Sequence, residues 1–169
     1  MAWALAALTV LWGLALSTRA LGRRPKAAWL LDLHRFLGGL TVVFVVIHLL
    51  GLWADSYVEL GPADLLVPFA SSWKPAAVAW GVVAFYLLLA VEITSLLMKR
   101  LPKHWWYRIH LTSYLLYGLA TVHLATAGTD ASSPVIAWAV VLSVAAVAFF
   151  TIYRVIGPGR RGSIAGSPG

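Results

Sequence analysis

Long apolar stretches alternate with short polar connections along almost the whole chain. Five of these stretches are long enough to cross a bilayer, which takes about 17–25 helical residues. They lie near residues 1–18, 29–53, 75–98, 106–127 and 134–156. The pattern therefore predicts an all-α membrane protein, built as a bundle of five transmembrane helices.

The basic residues lie mainly in three of the connections. These clusters follow the first, third and fifth spans: Arg19, Arg23, Arg24 and Lys26; Lys99, Arg100 and Lys103; Arg160 and Arg161. The connection after the second span holds Asp55, Glu59 and Asp64 against Lys74, and that after the fourth holds only Asp130. Because basic connections stay in the cytoplasm, we expect the N-terminus outside and the C-terminus in the cytoplasm. The second and fourth spans are then parallel.

The spans predict one transmembrane domain over residues 1–156. Residues 157–169 are rich in Gly, Ser and Pro and predict a disordered cytoplasmic tail. The first apolar stretch has two interpretations. It lacks a basic region before it, which favours a retained helix over a cleaved signal peptide.

The amino-acid composition excludes several kinds of functional site. The chain is 61% hydrophobic, with a mean hydropathy of +0.84, and has no cysteine. Disulfides, zinc–thiolate sites and cysteine-ligated iron–sulfur clusters are therefore excluded. The basic residues behind the net charge of +7 lie mainly in the connections between spans, where membrane topology explains them. We therefore expect lipid, and no nucleic acid, as a partner. No phosphate-binding glycine motif is present, so any flavin or nicotinamide chemistry on a separate fold requires another chain.

Four of the five histidines form two pairs on the two parallel spans. His34 and His48 lie fourteen residues apart on the second span, and His110 and His123 lie thirteen apart on the fourth. At 1.5 Å per residue each separation is about 20 Å along the helix axis. The fifth, His104, lies in a basic connection and is expected at the surface.

Matched depths on parallel helices place one histidine pair at an inner level and another at an outer level. Two imidazoles can fill both axial positions of a haem iron, a ligation suited to electron transfer. We therefore expect two b haems, with His34 and His110 on the inner iron and His48 and His123 on the outer iron. A histidine proton relay and simple helix–helix hydrogen bonding are the alternatives.

The angle between His110 and His123 around the axis of the fourth span is harder to reconcile with two histidine pairs. Thirteen residues leave His110 and His123 about 140° apart on a straight helix. Three explanations stay open: a distortion such as a π-bulge near Gly118, a relative rotation of the two haems, or a histidine that is not a ligand.

Two arginines lie beside the inner histidines. Arg35 follows His34, and Arg108 precedes His110 by two residues. Either could bind haem propionates, and interfacial snorkelling explains both equally well. Glu92 lies near the cytoplasmic end of the third span, within possible reach of Arg35, Arg108 or Lys99.

These residues resemble a known family. The two histidine spacings, the "LHRFLG" around His34 and the stretch "EITSLLMKRLPKHWWYRIHLTSYLLYGLATVHLATAGTD" are similar to ferric reductase-like transmembrane domains. That superfamily includes NADPH oxidases, ferric reductases and the haem subunit of the bacterial methionine sulfoxide reductase system. The likeness runs from about residue 30 to 156 and implies the same two histidine pairs as haem ligands. Many members have six spans and a cytoplasmic FAD/NADPH domain, whereas this chain shows five spans and no such domain.

The sequence therefore predicts a multi-pass membrane cytochrome b of the bacterial inner membrane, an oxidoreductase-type electron-transfer subunit. Electrons would come from a cytoplasmic flavoprotein or a quinol, with flavin or quinone at the cytoplasmic side, and reach an extracytoplasmic acceptor. A proton- or metal-coupled transporter with a histidine relay is the alternative function. A scaffold subunit, whose histidines only hydrogen-bond neighbouring helices, is the third possible function.

Overall fold

A computed structural model describes residues 1–18, 27–56, 58, 60–129 and 131–156. Within these residues the chain is all-helical. The helices are α1 (Ala2–Thr18), α2 (Ala27–Ala54), α3 (Pro62–Leu66), α4 (Pro75–Leu96), α5 (Lys103–Leu111), α6 (Ser113–Ala127) and α7 (Pro134–Ile156). The tail predicted over 157–169 and the basic cluster from Arg19 to Lys26 lie outside the described residues, as do Glu59 and Asp130.

Three helices of the described chain are long and apolar enough to cross a membrane, namely 28–54, 75–96 and 134–156. They match the second, third and fifth predicted spans to within a few residues. The apolar helix α1 has 17 residues and is about 26 Å long, slightly shorter than a hydrocarbon core of about 30 Å. Five crossings and the predicted orientation therefore stay predictions.

The fourth predicted span, 106–127, is divided into two helices at Thr112. The N–H of Thr112 donates to the carbonyl of Ile109 at 3.0 Å, a tight turn of the 3₁₀ type. The hydroxyl of Thr112 donates to the same carbonyl at 2.7 Å, and this side-chain bond competes with the regular helical ladder. The helix resumes when the N–H of Leu116 donates to the carbonyl of Thr112 at 2.9 Å.

Helix α1 packs against three others and forms the centre of the bundle. It contacts α2, α6 and α7, while α4 packs most extensively on α6. One buried cluster joins α1, α6 and α7 through Ala7, Leu14, Tyr117 and Val147. A second joins α1, α4 and α6 through Ala6, Leu88 and Leu116. Two histidine-bearing elements, α2 and α6, are thus held in place by their neighbours α1 and α4.

Polar side chains connect the helices at several levels. The indole N–H of Trp3 donates to the hydroxyl of Thr121 at 3.0 Å, and the indole of Trp12 donates to the carbonyl of Leu30 at 2.9 Å. The hydroxyls of Tyr117 and Ser143 are 2.7 Å apart. Such bonds between helices are worth about 0.6 kcal/mol on average in a membrane, so they mainly fix how the helices are rotated.

Candidate functional site

The four histidines of the predicted spans form two facing pairs. The ring centroids of His34 and His110 are 6.0 Å apart at an interplanar angle of 73°. Those of His48 and His123 are 6.4 Å apart at 72°. The two pairs therefore have nearly the same geometry, and α2 supplies one ring to each.

Helices α2 and α6, which carry three of the four histidines, are not closely packed on each other in the described chain and have glycines that border open space. Helix α2 packs on α1 and α4, whereas close packing of α2 on α6 is absent from the described contacts. A Cβ built on Gly39, Gly51 or Gly118 would meet nothing within 4 Å. These three glycines border open space, whereas the space beside Gly38 is filled by the carboxyl group of Glu92.

The outer pair is held through His123. Its Nδ1 lies 2.8 Å from the carbonyl oxygen of Ala77 on α4, which can only accept a hydrogen bond. The Nδ1 of His123 must therefore carry the proton, and Nε2 is left as the free lone pair that a metal needs. A carbonyl partner of this kind is the usual way in which proteins orient a ligating imidazole.

A glycine one turn along α4 makes this position possible. A Cβ built on Gly81 would lie 2.7 Å from Cε1 and 2.7 Å from Nδ1 of His123. Ala77 and Gly81 are four residues apart and share a helix face, so the same face both bonds the ring and makes room for it. His48, its partner, lies on the exposed side of α2.

The inner pair is held differently. The ring of His34 lies against Gly13 of α1, where a Cβ would come within 3.0 Å of Cε1. Its Nδ1 is buried without a hydrogen-bond partner in the described chain. The Nδ1 of His110 lies 3.4 Å from the hydroxyl of Ser95, and the ring stacks on Trp106 with centroids 5.1 Å apart. Each pair thus has one ring packed against a glycine of a neighbouring helix.

Sequence analysis did not identify Gly13, Gly81 or the carbonyl of Ala77. The ring of Trp106, which stacks on His110, was not identified from the sequence either. For Gly13 and Gly81, the only local signal in the sequence is that each is a glycine inside an apolar helix. Because glycine lowers helix propensity, a packing reason for its presence is expected there. Which helix each glycine faces depends on tertiary packing.

The distortion expected near Gly118 lies elsewhere. Helix α6 continues through Gly118, and the irregular turn is at Thr112, six residues earlier. Of the three explanations that stayed open, a distortion is present, but it lies at Thr112, and Gly118 is accommodated within a regular helix. A 3₁₀-type turn has about 3.0 residues per turn, so it adds rotation between His110 and His123.

The two arginines are not equivalent in the structure. Arg35 forms an ion pair with Asp32 at 3.6 Å, and both side chains are more than half exposed. Arg108 is exposed. His104 is exposed beside Trp105, as expected. Glu92 forms no ion pair with Arg35, Arg108 or Lys99, and its carboxyl group lies against Gly38 of α2.

Chemically, each pair brings together two imidazole rings, whose nitrogens are common metal ligands. No group of three or more His, Asp or Glu side chains converges in the described ranges. The inner and outer pairs are about 21 Å apart along α2.

Comparison with known proteins identifies the family. No curated protein and no solved structure matches this chain. A family profile described as "Ferric reductase like transmembrane component" matches residues 1–121. The match includes α1, which lies outside the expected likeness over 30–156, and ends two residues before His123. It covers more than two thirds of the chain and confirms the resemblance seen in the histidine spacings. The chain therefore belongs to the ferric reductase-like transmembrane component family.

Proposed function

We propose that this protein is a membrane cytochrome b that passes electrons across the bilayer through two stacked bis-histidine haems. Membership of the ferric reductase-like family supports a transmembrane redox role. The observation that carries the finer proposal is the pair of facing histidine rings at each of two levels.

The ring separations fit one iron between each pair. Two metal–imidazole bonds of about 2 Å on opposite sides of one ion place the ring centroids about 6 Å apart. The measured separations are 6.0 and 6.4 Å. The tautomer of His123, with its proton on Nδ1, leaves Nε2 free for this bond.

The residues would act as follows. His34 and His110 hold the inner haem, and His48 and His123 hold the outer one. When bound, each haem iron accepts and returns one electron by cycling between the ferric and ferrous states. Ala77 and Gly81 fix the ring of His123, while Gly13 provides space for the ring of His34. Arg108 is free to bind an inner propionate, whereas Arg35 would first have to leave Asp32.

The electron path would run from the cytoplasm outward. We propose a flavin reductase or a quinol as the cytoplasmic donor and a redox acceptor on the outer side, with five crossings in the bacterial inner membrane. The family supports the redox chemistry, and the basic connections support an orientation with the inner histidine pair towards the cytoplasm. A proton- or metal-coupled transporter would use the same histidines without a chromophore.

Single histidine substitutions test the ligand assignment. His48→Ala or His123→Ala should remove the outer haem and leave the inner haem reducible, so the haem content should fall from two to one per chain. His104→Ala is the matched control and should leave both haems, because His104 is exposed and belongs to neither pair. Unchanged spectra and haem content in His48→Ala and His123→Ala would refute the assignment.

A further inference from the structure

Glu92 is the only charged residue of α4 (Pro75–Leu96). It lies four residues before the cytoplasmic end of an apolar helix and is half-buried. Ionisable residues at such positions are costly in lipid and are functional candidates by default. Neither the histidine pairs nor the proposed electron path assigns it a role.

The carboxyl group of Glu92 is directed into the bundle. A Cβ built on Gly38 of α2 would clash with Oε1, and it would lie 3.1 Å from Cδ and 3.4 Å from Oε2. The carboxyl group therefore occupies the space that the missing side chain of Gly38 leaves. Gly38 is one turn from His34, or about 6 Å along the axis, so this carboxyl lies close to the inner level.

Glu92 has no hydrogen bond or ion pair to any described residue. A carboxylate that has no counter-ion among the described residues interacts strongly with any charge that appears nearby in a poorly screened interior. Its protonation state should therefore respond to a change of one charge at the inner haem.

Other charged or titratable groups flank this position on the packed elements and on α4 itself. They are Asp32, His34 and Arg35 on α2; Lys103, His104, Tyr107, Arg108 and His110 on α5; Tyr114 and Tyr117 on α6; and Lys99 and Arg100 after the end of α4. On α6 and α3 the corresponding groups, His123 and Asp64, belong to the outer half. Asp32 is the other carboxylate near the inner level, but it is exposed and paired with Arg35 at 3.6 Å. Of these two carboxylates, Glu92 is the one that forms no ion pair with a described residue.

We propose that Glu92 is a proton-binding site coupled to the inner haem. The carboxylate takes up one proton from the cytoplasmic side when one electron from the flavin or quinol donor reduces the inner iron from ferric to ferrous. The carboxylic acid releases that proton when the electron moves on and the iron returns to ferric. Charge is thereby balanced at the inner level. This inference rests on the proposed haem-binding function.

Redox titration of the haem-loaded protein at several pH values tests the inference. The midpoint potential of the inner haem should fall by up to about 59 mV per pH unit, the one-electron equivalent of a tenfold change in proton activity. Glu92→Gln, which keeps the shape of the side chain, should make this potential independent of pH. The outer haem should be unaffected. Asp32→Asn is the matched control and should retain the slope.

Infrared spectroscopy gives a second measurement that needs no variant. The sequence has only two glutamates, Glu59 and Glu92, so ¹³C-glutamate labelling marks few groups. The reduced-minus-oxidised difference spectrum should contain an isotope-shifted carboxylic acid band, and that band should be absent in Glu92→Gln. A slope that survives in Glu92→Gln, a slope lost in Asp32→Asn, or no labelled band would overturn the inference alone. A chain without haem would overturn the proposed function as well.

Discussion

The roles of individual residues around His123 follow from two neighbours on one face of α4. The carbonyl of Ala77 receives the Nδ1 hydrogen bond at 2.8 Å, and Gly81 provides the space for the ring. Partners of this kind fix both the tautomer and the direction of a ligating imidazole, and their loss commonly lowers metal affinity 10–100-fold. The outer pair should therefore be sensitive to changes at positions that never touch the iron.

Gly81→Ala should release the outer haem while His123 itself is retained. The new Cβ would lie 2.7 Å from two ring atoms, so the imidazole must shift away from Ala77. We expect one haem per chain instead of two, measured by haem content and absorption. Gly118→Ala is the control in the same bundle, since its Cβ meets nothing within 4 Å. Normal haem content in Gly81→Ala would show that the glycine contact is unimportant.

The sequence predicted the bounds of some helices more accurately than those of others. The spans 29–53, 75–98 and 134–156 correspond to α2, α4 and α7, because long apolar runs define membrane helices well. The break at Thr112 was not predicted, because it depends on competition between one hydroxyl and the backbone. The packing of Gly13 on His34 and of Gly38 on Glu92 was also missed. Apolar periodicity does not specify which helix faces which.

The turn at Thr112 sets how His123 is rotated relative to His110. One alanine inserted after Ser113 would rotate the rest of α6 by about 100° and move it by about 1.5 Å. We expect loss of the outer haem with retention of the inner one, because His110 precedes the insertion.

The same alanine inserted after Gly128 is the control, because it follows both histidines and leaves their relative rotation unchanged. Haem content and redox spectra of the two insertion variants provide the comparison. Two haems in the variant with the insertion after Ser113 would mean that the rotation of α6 is not fixed by the packing described above.

At the scale of the whole molecule, the proposal depends on the direction in which the bundle crosses the membrane. If the basic connections lie in the cytoplasm, as the positive-inside rule predicts, the inner histidine pair lies towards the cytoplasm. The family assignment is independent of this orientation, so topology needs a test of its own.

The absence of cysteine makes labelling straightforward. Single cysteines at two exposed positions, Lys103→Cys and Ser72→Cys, should react with an impermeant thiol reagent from opposite sides. We expect Ser72→Cys to react in intact cells and Lys103→Cys only after the membrane is opened. The unsubstituted chain is the unlabelled control. The reverse pattern would overturn the outward direction of electron transfer.

The central claim is that two histidine pairs hold two haems in one chain. The most direct measurement is the reduced-minus-oxidised absorption spectrum of the purified full chain, with haem counted per protein after expression with adequate haem supply. If both histidine pairs ligate haem, the spectrum should show bands of low-spin b haem, and each chain should contain two haems. A chain that binds no haem under these conditions would contradict it.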